Sequence, residues 1–224
     1  MEPCNSRLDD FVLSLARRKQ PKRPRVCFVG TASGDNDYYI RHFYEAFPPS
    51  RAAAIHLTFF ERTVRDLKSL VMEQDIIYVG GGSSANMLAV WRLHGLDKVL
   101  RAAWNAGVVM AGISAGAICW FEDGLTDSFG LPYRALNDGL GFVRGACCPH
   151  YDGEKERRPA LMRLIKRGFP STLALDDGAA AHFIGTRLKE VVTSRPKARA
   201  LRVALKHDAV IETVIPVRHL AAPK

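Results

Sequence analysis

The sequence predicts an α/β fold in which a parallel sheet is covered by helices on both faces. Over its first half, short apolar runs alternate with longer amphipathic runs, which is typical of repeated strand–helix units and a parallel sheet. Several of the apolar runs end in glycine- or serine-rich loops, as expected where parallel strands present their carboxyl ends to a ligand. The 224 residues are enough for one substantial domain with a proper core. We expect a basic N-terminal arm or helix over residues 1–24 and a single α/β domain over residues 25–224.

Four strand–helix units account for the first half of the chain. Strands are predicted within 25–35, 52–60, 75–84 and 108–114. The helices that follow them are predicted over 36–47, 62–74 and 85–107, and from 115 through "AGAICWFE". Gly30, the three glycines 80–82 and Ser114 all fall at strand ends, so the architecture brings these loops to one rim of the sheet.

The second half is less regular. A short apolar segment and a loop precede a helix predicted from about Pro159 to Arg167. The segments 171–193 and 199–217 predict strands and hairpins that close one edge of the sheet.

Charge and composition narrow the function classes. The net charge is +9, with much of it in the runs 17–25 and 194–207. Neither run interleaves aromatic residues or fits a nucleic-acid motif, so we expect solvated surface, and a positive field that favours anionic substrates is an alternative. A non-catalytic nucleic-acid-binding module remains an alternative, although no nucleic-acid partner is expected.

Location and redox state are also indicated by the sequence. No apolar run reaches the roughly 18 residues that span a bilayer, so no membrane partner is expected. The N-terminus has acidic residues early and basic residues late, the reverse of a secretory signal, which predicts a cytoplasmic protein. Five cysteines without a C-x-x-C pair predict buried, reduced thiols.

Ser114 lies in a G-x-S-x-G pattern, Gly112 to Gly116, between a predicted strand and a predicted helix. This setting is typical of a nucleophile elbow, in which the serine occupies a strained turn and the next backbone N–H helps to bind an oxyanion. The same small residues are also compatible with close packing of a strand on a helix, so both interpretations remain open.

A nucleophilic serine needs a base and a carboxylate that holds the base. His150 stands in the loop "CCPHYDGE", and His182 in "AAAHFIG" is the competing histidine. The carboxylate candidates are Asp127, with Glu122 and Asp123 nearby, and the pair Asp176 and Asp177. The glycines 80–82 offer backbone N–H groups for an oxyanion, but they match neither G-x-G-x-x-G nor a P-loop.

Taken together, these residues resemble the peptidase E family of serine peptidases, which includes α-aspartyl dipeptidase and, more distantly, cyanophycinase. The resemblance covers roughly residues 76 to 183. It lies in the stretches "YVGGGSSANMLAVWR", "AGISAGAICWFEDGLTDSFG", "GLGFVRGACCPHYDGEKERRP" and "ALDDGAAAHF". It implies a three-layer sandwich with a mostly parallel central sheet, similar to class I glutamine amidotransferases, with serine in place of their cysteine.

The resemblance also implies the site. Ser114 matches the nucleophile, His150 the general base and Asp127 the acidic triad member, while Gly82 and Ala115 match the oxyanion hole. Candidate substrate-binding residues are Gly81, Ser83, Arg134, Tyr151 and Arg157. Neither a metal nor a cofactor is implied.

The implied activity is hydrolysis of a short peptide through an acyl-enzyme, by a dipeptidase with Asp-X preference or by a carboxypeptidase-like enzyme. An amidase or amide-transfer enzyme with the same fold and triad is the alternative. The chain departs from the family at Ser83, where asparagine often follows the three glycines, and Arg134, Arg157 and Arg158 match no family motif. A homodimer is left open.

Overall fold

The computed structural model describes residues 6–16 and 23–221. The chain divides into two compact units, Met1–Gly116 and Ala117–Lys224. Within the expected N-terminal arm, the structure describes a helix, α1 (Arg7–Ser14). Residues 17–22 of the basic run lie outside the described residues. The single domain expected over residues 25–224 stays a prediction.

The first unit is built on a four-stranded parallel sheet with the strand order β2-β1-β3-β4. Its strands are β1 (Arg25–Val29), β2 (Ala53–Leu57), β3 (Ile76–Val79) and β4 (Val109–Gly112). Its further helices are α2 (Asp37–Ala46), α3 (Leu67–Met72), α4 (Ser84–His94) and α5 (Leu96–Asn105), with a 3₁₀ turn at Thr31–Ser33; α6 (Ala115–Ile118) follows β4. The four predicted strands, each followed by a helix, are thus confirmed, although the helices after β3 and β4 differ from the prediction.

Apolar burial and capping fix these elements. Phe28 of β1 is fully buried and stacks on Phe43 of α2, with ring centroids 5.0 Å apart. Asn36 caps α2 by accepting the N–H groups of its first turn. The helix predicted over residues 85–107 is two helices, because Gly95 adopts a φ of +73°, which ends α4 and begins α5.

The second unit holds a six-stranded sheet and a three-stranded sheet. Its strands are β5 (Phe121–Thr126), β6 (Arg134–Leu136), β7 (Val143–Cys148), β8 (Thr172–Leu175), β9 (Ala179–Ile184), β10 (Arg187–Thr193), β11 (Ala200–Lys206), β12 (Ala209–Ile215) and β13 (Val217–His219), and its long helix is α7 (Arg157–Lys166). The orders are β12-β11-β8-β7-β5-β6 and β13-β10-β9. Strands β5, β7 and β8 run parallel to one another. The strands at the C-terminal end therefore contribute to two sheets rather than closing one edge.

The helix predicted through "AGAICWFE" is shorter than expected. Helix α6 has four residues, and the chain enters β5 at Phe121. The carbonyl of Trp120 accepts the N–H groups of Phe142 and Val143, which draws this segment onto β7. The apolar residues that the sequence pattern predicts as the end of the helix therefore pair with the sheet instead.

The α/β class with a parallel sheet flanked by helices is confirmed. Within residues 6–16 and 23–221, no helix combines the length and the apolar character needed to cross a membrane. The cysteines in these ranges are free and buried, namely Cys27, Cys119, Cys147 and Cys148.

Candidate active site

Ser114 occupies a sharp turn between β4 and α6. Its φ is +56°, a left-handed conformation that residues other than glycine seldom adopt and that costs free energy. The turn is closed by Ile113 N–H donating to the carbonyl of Val79 (3.1 Å) and by Gly116 N–H donating to the carbonyl of Ile113 (2.9 Å). The serine is thus held in a strained conformation at a strand end.

The small residues beside Ser114 also serve close packing. A Cβ on Gly116 would stand 2.3 Å from the carbonyl oxygen of Val79, so only glycine allows α6 to approach β3. The two interpretations of the pattern are therefore compatible, since Gly116 supplies the close approach and Ser114 carries the strained conformation.

The glycine loop after β3 lies against this turn. A Cβ on Gly81 would stand 3.1 Å from Cβ of Ser114. Gly82 has a φ of +134°, and a Cβ there would stand 2.1 Å from the carbonyl oxygen of Ala32. Among residues 6–16 and 23–221, the N–H groups of Gly82 and Ala115 find no hydrogen-bond acceptor. Unpaired backbone donors of this kind are what an oxyanion requires.

His150 and Asp177 form a pair in the second unit. His150 follows β7 with a φ of +55°, and its Nδ1 lies 2.6 Å from Oδ1 of Asp177. A carboxylate accepts hydrogen bonds, so this contact places a hydrogen on Nδ1, and in the neutral imidazole the lone pair is then on Nε2. This is the tautomer of a general base. The competing histidine, His182, lies in β9 with Nδ1 3.7 Å from Oε1 of Glu190.

Asp177 contacts the His150 ring, whereas the family resemblance implies Asp127 as the acidic triad member. Strand β7 lies between β5 and β8, and all three are parallel, so the residues after β5 and after β8 flank His150 from opposite sides. Asp127 follows β5 and is exposed, whereas Asp177 follows β8 and makes the hydrogen bond. The adjacent Asp176 is buried and accepts hydrogen bonds from N and Nε of Arg199 (2.9 and 3.0 Å).

Asp177 is held in place by the loop that follows His150. Its backbone N–H donates to Oδ1 of Asp152 (2.8 Å), whose Oδ2 accepts from Nη2 of Arg195 (2.6 Å). Partial burial would raise the pKa of Asp152, but the Asp177 N–H and the Arg195 guanidinium outweigh it, and this pKa lies below its usual value. A Cβ on Gly153 would stand 2.1 Å from Oδ2 of Asp177, so the carboxylate occupies the space that this glycine leaves free.

Ser83 and Tyr151, two of the predicted substrate-binding residues, form hydrogen bonds within the protein. Ser83 caps α4, where its hydroxyl accepts the N–H of Asn86 at 3.3 Å. Tyr151 is buried in a core cluster and donates its hydroxyl to Oε1 of Glu212, which also accepts from Nε of Arg158 at 3.0 Å. Tyr151 thus anchors the loop beside His150.

The predicted arginines differ in their environments. Arg157 is 2% exposed, lies 2.7 Å from Oε2 of Glu154 and stands over the Tyr133 ring, 4.6 Å from its centroid. Arg134 lies exposed in β6, and within the described ranges no carboxylate pairs with it. Arg134 is therefore the predicted arginine whose guanidinium is free to bind an anion.

Two further kinds of chemical group are metal-ligand clusters and the thiol of Cys147. No group of three or more His, Cys, Asp or Glu side chains within residues 6–16 and 23–221 could hold a metal ion. Burial raises the pKa of Cys147, beside the His150 loop, to about 12, so this thiol is not an activated nucleophile.

Two residues that contact the candidate site, Tyr39 and Arg195, belong to no motif in the sequence. The hydroxyl of Tyr39 accepts the Gly81 N–H across 42 positions of the chain, and Arg195 reaches Asp152 across 43. Neither residue belongs to a local motif, so only the folded chain reveals these contacts.

Comparisons with known proteins identify relatives of this chain. The family model "Peptidase family S51" matches residues 1–191. The chain is 51% identical over 221 residues to the uncharacterized peptidase YgaJ of Bacillus subtilis (strain 168), covering 98% of this chain and 94% of that protein.

Solved structures show the same fold at low identity. A candidate peptidase E protein from Listeria monocytogenes EGD-e aligns with a TM-score of 0.63 and 19% identity, covering 86% of this chain and 95% of that one. A peptidase from an acI-B1 Actinobacterium aligns with a TM-score of 0.65 and 17% identity, covering 94% and 88%. The match across residues 1–191 and the 51% identity show that this chain belongs to peptidase family S51 and is a serine peptidase.

Proposed function

We propose that this peptidase hydrolyses short peptides through an acyl-enzyme formed on Ser114. The observation that carries the proposal is the 2.6 Å contact between His150 and Asp177, which leaves Nε2 of His150 as a base. The strained φ of Ser114, at a strand end beside three glycines, supports its assignment as the nucleophile on a nucleophile elbow.

The reaction follows from the roles of these groups. Nε2 of His150 takes the hydroxyl proton of Ser114 while Oγ attacks the carbonyl carbon of the scissile bond. The N–H groups of Gly82 and Ala115 bind the oxyanion, and Asp177 stabilises the imidazolium. His150 then gives its proton to the leaving amine. A water molecule, activated by the same histidine, hydrolyses the acyl-enzyme and restores Ser114.

For the substrate, we propose a dipeptide or other short peptide with an acidic N-terminal residue. The resemblance to α-aspartyl dipeptidase supports this class, and so does the exposed Arg134, which has no carboxylate partner in the described ranges. The net charge of +9 would also favour an anionic peptide over a neutral one.

A fluorophosphonate probe tests the catalytic assignment. We expect it to label the wild-type protein and to leave Ser114→Ala and His150→Ala unlabelled, with turnover lost by several orders of magnitude in both variants. Labelling that persists in Ser114→Ala would refute Ser114 as the nucleophile.

A substrate screen tests the specificity. Asp-X dipeptides, other dipeptides, longer peptides and simple amides are compared by kcat/KM. We expect Arg134→Ala to lower kcat/KM for Asp-X but not for Ala-X, and the exposed Arg187 on β10 supplies a matched control variant, Arg187→Ala. Preferential hydrolysis of amides would favour the amidase alternative. An equal loss on Asp-X and Ala-X would exclude Arg134 as the reader of an acidic side chain.

A further inference from the structure

Tyr39 of α2 contacts the glycine loop that follows β3. Its hydroxyl oxygen accepts the N–H of Gly81 at 3.1 Å, while its ring packs edge-on against Phe28 with centroids 5.5 Å apart. A Cβ on Gly80 would stand 3.3 Å from Cε1 of Tyr39, so the ring fills the space beneath the loop. The helix cap fixes the tyrosine in turn, because Oδ1 of Asn36 accepts the Tyr39 N–H at 3.3 Å.

The Tyr39 hydroxyl also lies close to the nucleophile. The position that a Gly81 Cβ would occupy is 3.1 Å from Cβ of Ser114 and 3.4 Å from the Tyr39 hydroxyl oxygen. The phenol and the serine side chain therefore meet the same side of Gly81. In the described ranges, the phenol's own hydrogen is donated to no acceptor, so the Gly81 N–H is the hydrogen-bond partner of this hydroxyl there.

A loop of three glycines needs such a contact. Glycine has more backbone freedom than any other residue, and consecutive glycines give the chain many conformations. The hydrogen bond to Tyr39 fixes the plane of the peptide bond that ends at the Gly81 nitrogen. The next peptide bond carries the Gly82 N–H. The direction of that N–H therefore depends on how Gly81 is held.

We propose that Tyr39 is a positioning residue of the oxyanion hole, which holds Gly81 so that the Gly82 N–H points at the developing oxyanion. The inference rests on the proposed function, since it assumes that Gly82 binds the oxyanion formed by attack of Ser114. Burial raises the pKa of Tyr39, so the phenol stays neutral at working pH and its oxygen remains an acceptor for Gly81.

The test is Tyr39→Phe, which removes the hydroxyl and keeps the ring. Loss of an oxyanion donor costs about 10²–10³ in kcat, and a displaced donor should cost less, so we expect kcat to fall about 10- to 100-fold with KM within about twofold. A dipeptide boronic acid, whose adduct on serine is tetrahedral, should lose affinity by the same factor. The neighbouring Tyr38, 66% exposed on the same helix, gives the matched control Tyr38→Phe, which should behave as wild type.

Several results would overturn this role. A Tyr39→Phe enzyme with wild-type kcat and wild-type boronate affinity would refute it, and so would a loss that appears in KM alone. Amide exchange in the wild-type protein gives a second measurement that needs no variant to fold. We expect the Gly81 amide to be protected and the Gly82 amide resonance to shift on boronate binding; rapid exchange at Gly81 would refute the contact. Failure of the proposed function is read separately, from fluorophosphonate labelling that persists in Ser114→Ala.

Discussion

Replacing Asp177 by asparagine tests which carboxylate completes the proposed triad. The side chain keeps its size, but its NH₂ group can donate to Nδ1 of His150, which stabilises the tautomer that has no lone pair on Nε2. In a buried triad the corresponding change lowers kcat about 10⁴-fold. The Asp177 side chain is 36% exposed, so solvent screens part of its charge. We therefore expect a loss of about 10²–10⁴, equivalent to about 2.7–5.4 kcal/mol in the activation free energy.

The matched control is Asp127→Asn, on the opposite side of the same strand end. Both variants are assayed for kcat at saturating dipeptide, and circular dichroism confirms that each is folded. We expect Asp127→Asn to stay within about twofold of wild type. If Asp127→Asn loses activity and Asp177→Asn keeps it, the hydrogen bond at His150 is not the catalytic one, and Asp127 is the third member of the triad.

Three further predictions concern the surroundings of the site. Gly153→Ala should keep the fold and lower kcat, because the new Cβ would stand 2.1 Å from Oδ2 of Asp177 and the side chain, not the backbone, would move; unchanged kcat with normal thermal unfolding would contradict this. Gly116→Ala should lower the free energy of unfolding by about 1–3 kcal/mol or more, since its Cβ would stand 2.3 Å from a backbone oxygen of β3. Urea unfolding measures this loss, and a change below about 0.5 kcal/mol would mean that α6 does not pack as described. The pKa of Glu212 is lowered, chiefly by the hydrogen bond from Arg158. Ionised Glu212 therefore stabilises the fold above its unfolded pKa of about 4.3, and this contribution is lost as the pH falls through its pKa in the folded protein. The stability difference between wild type and Glu212→Gln should therefore be largest near neutral pH and shrink below about pH 4, and a difference independent of pH would refute the assignment.

The first unit was predictable from sequence because its signals are local. Three of its four strands, β1, β3 and β4, are short apolar runs that end at or just before a glycine, and such signals act within a few residues. The sequence pattern predicts a helix from Cys119 to Glu122, but a short apolar run fits a helix and a buried strand equally well. Pairing with β7, which a local pattern does not contain, decides between them.

The site was only partly predictable for a related reason. Ser114, His150 and the glycine loop lie in local patterns, so their candidacy could be inferred from the sequence. The choice between Asp127 and Asp177 could not be inferred from the sequence, because both residues follow strands that neighbour β7. Only the folded loop after His150 shows which carboxylate reaches Nδ1. The contacts from Tyr39 and Arg195 link distant parts of the chain and depend on packing alone.

The buried thiols can report which part of the protein unfolds. Burial raises the pKa of Cys27 and of Cys147 to about 12, so an alkylating reagent at neutral pH should react with them only after the surrounding structure opens. Cys27 belongs to the first unit, whereas Cys119, Cys147 and Cys148 belong to the second. With Cys4 replaced by serine, mass spectrometry of partly alkylated protein would read the opening rate of each unit separately. For an inactive variant, this experiment would show whether one unit unfolds early. If both units stay closed, the defect lies in the catalytic step.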